Sequence, residues 1–190
     1  MPRVARAVSI AAHPFVTSLI MVVGSAVQLG QLRRAGVAIA IVVVLAIAPV
    51  ALLMMQQVRR GKWQNVDASN VRERPLLFAV SGIGLAGLLG YLLLAQPQSF
   101  LLRGVVAVVA MVAACAAITR WVKLSLHLAF ATLATTVLLL LGSPAGWVLL
   151  LALPALAWSR LSLARHTVLE VVLGSVVGAA CGLAIYLPSA

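Results

Sequence analysis

Seven runs of apolar residues, each closed by a polar break, limit what this chain of 190 residues can fold into. They cover residues 9–29, 35–55, 76–95, 102–119, 125–141, 146–158 and 167–187. A helix needs about 20 apolar residues to cross the hydrocarbon core of a bilayer, and backbone polar groups at that depth must be bonded within the protein. The pattern predicts an all-α polytopic membrane protein, a bundle of six to seven transmembrane helices forming a single transmembrane domain over residues 1–190. The sixth run is short and reads as a span that tilts or stops below the interface. A composition 64% hydrophobic and only 9% charged excludes an ordinary soluble domain. Arg3 and Arg6 precede the first run as in a signal peptide, but no small-x-small cleavage site follows and the run is long, so it reads as the first helix.

Fourteen Lys and Arg stand against three Asp and Glu, a net charge of +11. In so apolar a chain this excess belongs to loops facing anionic headgroups rather than to a nucleic-acid surface. With seven crossings, eleven cations fall on one side and three (Arg33, Arg34, Arg103) on the other. Removing Arg72, Arg74, Lys123 and Arg160 as candidate anion ligands leaves seven to three. The larger set is expected in the cytoplasm, with the C-terminus outside. The longest polar stretch, 58–75, lies between helices two and three and is expected to be an active-site loop. Trp63, Trp121, Trp147 and Trp158 stand at span ends, as interfacial anchors do. Cys115 and Cys181 lie inside apolar runs and imply neither a disulfide nor a zinc site. Gly174, Gly178 and Gly182 form a stripe along which another helix can approach, either in a homodimer or within the monomer.

Ionisable groups are costly at membrane depth, so the few present carry information. Asp67, Glu73, Glu170, His13, His127 and His166 all map to one membrane face. Glu170 follows His166 by four residues, one helical turn on, where its carboxylate can fix the imidazole tautomer. Three clusters return to this face: Asp67, Asn70, Arg72, Glu73 and Arg74-Pro75; Lys123, Ser125 and His127; and Ser159-Arg160, Arg165-His166 and Glu170. Guanidiniums, an ammonium, a hydroxyl and two histidines converging without grouped carboxylates suit the binding and cleavage of a phosphate ester. A chain with a single Asp lacks the clustered aspartates that magnesium-diphosphate chemistry uses, so no metal or other cofactor is expected.

These residues resemble the lipid phosphatases of the type-2 phosphatidic acid phosphatase superfamily, related to vanadium haloperoxidases, whose motifs are Lys-x6-Arg-Pro, Pro-Ser-Gly-His and Ser-Arg-x5-His-x3-Asp. The third is matched by SRLSLARHTVLE through Ser159, Arg160 and His166, with Glu170 in place of the aspartate. The second is matched by Ser125 and His127 of LSLH, where Leu124 and Leu126 replace Pro and Gly. The first is matched by Arg74 and Pro75, with Asp67 standing where the lysine belongs. The resemblance implies His166 as nucleophile, Glu170 orienting it, His127 as acid and then base, and Arg74, Ser125 and Arg160 as phosphate ligands. Lys123 is the expected replacement for the missing lysine, with Arg72, Asp67, Asn70 and Ser159 as further candidates. The substrate expected is a membrane lipid phosphate or diphosphate, isoprenoid in preference to a phosphatidic acid. The competing expectations are an inactive relative that binds or transports lipid phosphates, and a structural membrane subunit.

Overall fold

The structure is a computed structural model that describes residues 2–65, 67 and 70–187. Every regular element among them is helical: α1 (Pro2–Ala11), α2 (Pro14–Gln28), α3 (Leu32–Val42), α4 (Ala48–Arg59), α5 (Arg74–Ala95), α6 (Leu101–Ile118), α7 (Leu126–Leu140), α8 (Pro144–Ser162) and α9 (Val168–Tyr186). A π-helical segment, Val43–Ile47, joins α3 to α4 in one continuous rod. By length and apolarity this rod, α5, α6, α8 and α9 can each cross a membrane, and α1 with α2 makes a sixth crossing if the bent pair counts as one. The fifteen-residue α7 is a shorter apolar helix. The chain is a multi-pass membrane protein.

The described helices depart from the expected runs in two places that matter for the site. The first run is broken: α1 and α2 meet at 41°. Proline disfavours helical backbone in the residue before it, and His13 is extended (φ −61°, ψ 145°), its Nδ1 accepting from the Phe15 N–H to cap α2. The sixth run, expected to be short, extends at both ends: α8 has 19 residues and keeps Ser159 and Arg160 helical. The π-helical segment also has a local cause. Pro49 has no N–H for the Leu45 carbonyl, and Gly84 of α5 lies so close that a Cβ there would stand 2.5 Å from that carbonyl oxygen.

In lipid the hydrophobic effect does not drive helix against helix, so close packing must do so. α7 is the central post, packed against α9, α8 and α2. The glycine stripe makes its tightest seam. A Cβ on Gly174 would stand 2.6 Å from the Ser125 oxygen, one on Gly182 3.0 Å from Thr136 Cβ, and one on Gly178 would collide with the Ala129 oxygen and Thr132 Oγ1. The stripe therefore faces α7 of the same chain, and this face is not open to a second copy. Trp63 also differs from expectation: it is buried with Val50, Met54 and Leu77, whereas Trp121, Trp147 and Trp158 are exposed as anchors should be.

Gly178→Val is expected to overpack this seam by roughly 1–3 kcal/mol or more and to lower the unfolding temperature in detergent. Gly90→Ala, where an added Cβ meets nothing within 4 Å, should leave it unchanged or slightly raised. Equal melting of the two variants would contradict the seam.

Candidate active site

The geometry starts at the head of α9. Thr167 caps the helix: its hydroxyl accepts from the Glu170 N–H (3.3 Å), and Glu170 Oε2 accepts from the Thr167 N–H (3.2 Å). This reciprocal box fixes the carboxylate one turn into the helix, with the same oxygen 2.8 Å from His166 Nδ1. A carboxylate accepts, so in the neutral ring Nδ1 carries the proton and Nε2 the reactive lone pair. A tight turn brings α8 to the same place, with Ala164 left-handed (φ 52°) and the Arg165 N–H donating to the Arg160 carbonyl at 3.1 Å. The Ser125 N–H donates to the Glu170 carbonyl (3.0 Å), which seats the start of α7 beside the start of α9.

Around this pair lie two buried guanidiniums. Arg160, 1% exposed, donates from Nη1 to Ser9 Oγ at 2.6 Å and to Asp67 Oδ2 at 3.0 Å. Arg74, 2% exposed, donates to Thr119 Oγ1 at 3.5 Å. Five fully buried polar atoms among the described residues have no hydrogen-bond partner in the protein: Arg74 Nε, Ser125 Oγ, His127 Nε2, Ser159 Oγ and Arg160 Nε. Buried polar groups are normally satisfied, and leaving each one unmade costs about 1–3 kcal/mol. All five belong to the three segments singled out in the sequence. Ser125 stands at the N-cap of α7 without capping it, so the ordinary structural use of its hydroxyl is not made.

The other candidates divide. Asp67 is in the cluster, paired with Arg160. Lys123 Nζ donates to the Arg165 carbonyl (2.8 Å) and lies 3.8 Å from Glu170 Oε2, beside the histidine–carboxylate pair. Arg72 is exposed and outside the buried cluster. Asn70 is exposed and caps the short turn Val71–Glu73, whose Glu73 carboxylate accepts from the Asn70 and Gln64 N–H groups. Both are loop-ordering residues, selected in sequence only because they neighbour Arg74. Ser9, Thr119 and Asn65, which accepts from Arg165 at 2.7 Å, had no sequence signal. His13 had one, the His13-Pro14 pair at a span start, and its ring lies edge-on to His127 with centroids 5.2 Å apart. The ligand atoms of His13, Asp67 and His127 all lie within 4.8 Å of one another, close enough to share a cation. The Arg160 guanidinium on Asp67 competes with such an ion.

The electrostatics suit an anion. His166 lies between α8 and α9, outside both spans. Burial first, then the positive charges of Arg160, Arg74 and Lys123, push its imidazole down to about 3, against a hydrogen bond with the Lys123 backbone that opposes the shift. The ring is therefore neutral near pH 7, as a nucleophile must be. Compared with known protein families, with curated proteins and with solved structures, the chain matches none.

The depressed His166 pKa fixes a sign. Below about 6.5 the unfolded chain protonates this histidine while the folded one does not, so the unfolded state binds more protons and stability falls as pH drops from 6.5 toward 3. His166→Gln should reduce that acid-side loss, measured as unfolding temperature in detergent at pH 7.5 and 4.5. An equal loss in both proteins would contradict a neutral buried His166.

Proposed function

We propose that this chain is a metal-independent phosphatase that hydrolyses a lipid phosphate or diphosphate through a phosphohistidine. The observation that carries the reading is the set of unpartnered buried atoms on Arg74, Ser125, His127 and Arg160, side chains from three distant segments that gather beside a carboxylate-oriented histidine. Guanidinium and hydroxyl donors of that kind match the oxygens of a phosphoryl group and its transition-state charge. His166 Nε2 attacks phosphorus, the P–O bond to the lipid breaks, and His127 gives its proton to the leaving oxygen. Water then attacks the phosphohistidine, His127 takes the water proton, and inorganic phosphate leaves with His166 restored. The bound phosphate's negative charge favours the protonated His127 that the first step needs. Isoprenoid phosphates are preferred over glycerolipid phosphates, because little polar surface is left for a larger head group. The excess of cations at this end of the bundle supports a site on the cytoplasmic side.

Two other readings each have an observation behind them. Asp67 on Arg160 places a carboxylate against a phosphate donor, which favours a lipid-phosphate binder or transporter without turnover. The His13, Asp67 and His127 group favours metal-assisted hydrolysis. The discriminating measurement is inorganic phosphate release by detergent-purified protein in EDTA, over prenyl and glycerolipid phosphates. Release is expected from the wild type, none from His166→Ala, and a loss of roughly 10²–10⁴-fold from His127→Ala. Release only after zinc or manganese is restored would transfer the reading to the metal, and specific binding without release would transfer it to the transporter.

A further inference from the structure

An apolar cavity begins at the site and leads away from it through the bundle. His13, Asp67 and His127 line its head. Phe100, Leu101, Gly104 and Tyr186 line its other end, at the start of α6 and the close of α9. These lie at the opposite membrane face, because α9 leaves the site at Val168 and Thr119, which ends α6, reaches Arg74. Three helices give the depth independently. The lining runs from Pro14 to Ser25 on α2, from Leu77 to Leu88 on α5 and from Val112 to Leu101 on α6, which at the helical rise is about 17 Å on each. Beyond its head the wall is apolar apart from a few hydroxyls, with no charged side chain among its lining residues below Asp67.

A cavity that begins at His127, in the candidate site, and is apolar along its length has the form of a receptor for one lipid tail. We infer that the tail of the lipid phosphate occupies this cavity rather than the bilayer, and that its floor measures the tail. This rests on the phosphate-site reading for the head group, while the tail site rests on the cavity. About 17 Å takes roughly a dozen carbons of an extended chain at single-bond spacing. The floor is set where α2, α6 and α9 meet. Tyr186, its ring under the Arg103 guanidinium (5.6 Å), puts its hydroxyl 3.4 Å from where a Cβ on Gly104 would stand, and Met21 Cε lies 3.7 Å from the same point. A Cβ alone is tolerated there, but a longer side chain on Gly104 must enter the cavity or displace Met21 and Tyr186. Gly104→Leu therefore shortens the accepted tail, and Tyr186→Ala lengthens it.

The test pairs a binding arm with a turnover arm. Thermal stabilisation of the detergent-purified protein is measured with n-alkylphosphonates and with n-alkanols of 6 to about 20 carbons, beside phosphate release from alkyl and prenyl phosphates of graded length. In the wild type, stabilisation should rise with each carbon to about a dozen and then level. The break should move to shorter chains in Gly104→Leu and to longer ones in Tyr186→Ala, with the shortest phosphates hydrolysed alike by all three. The alkanols should show the same break without a phosphate. Stabilisation independent of chain length, or a break that neither variant moves, overturns the tail site even if phosphate is released. A break that moves as stated while no substrate is turned over leaves the tail site standing and removes the phosphatase reading.

Discussion

The approach of α7 to α9 is the constraint on which the rest depends. With no side chain on Gly174, Gly178 or Gly182, the two backbones come close enough for the Ser125 N–H to reach the Glu170 carbonyl at 3.0 Å. That contact sets Ser125 and His127 at the start of one helix beside His166 and Glu170 at the start of the other. In a bilayer no water-driven force holds such a pair together, so the fit of backbone against backbone has to do so. The same glycines that admit α7 thereby determine the spacing between two histidines 39 positions apart in the chain.

Much of the fold was legible because lipid makes the hydrophobic pattern unambiguous. Most of the seven runs lie within a few residues of a helix, since polar side chains are too costly at membrane depth to interrupt a span freely and so collect at its ends. What could not be read were features decided by tertiary neighbours. Ser159 and Arg160 looked like a connection because they are polar, yet α8 carries them as its last turn since both find a buried site. Trp63 looked like an interfacial anchor, but the loop folds it back under α4. Pro14 marked a break in the first span only once His13 was seen extended before it.

The candidate site divides along the same line. His166 and Glu170 were legible from an i, i+4 spacing, and the capping box at Thr167 explains why that spacing holds as geometry. The convergence of Arg74, Ser125, His127 and Arg160 was legible because two spans separate each cluster, which returns the chain to one face. The partners were not legible. Ser9 lies 151 residues from the arginine it accepts from, and no spacing rule connects an N-terminal helix to the end of α8. Arg72 and Asn70 were included by adjacency, and adjacency in a loop does not fix direction.

The ion pair of Asp67 with Arg160 also has a meaning for selection among anions. A guanidinium buried to 1% exposure would ordinarily attract whatever small anion the medium offers. Here one of its donors already holds a carboxylate at 3.0 Å, supplied by the chain itself. Chloride or a free carboxylic acid gains little by exchange, since it replaces like with like or worse. An incoming group with two negative charges and three acceptor oxygens gains more. On the proposed phosphate reading, the internal carboxylate acts as a threshold, keeping the arginine from weaker anions and yielding it to one of higher charge.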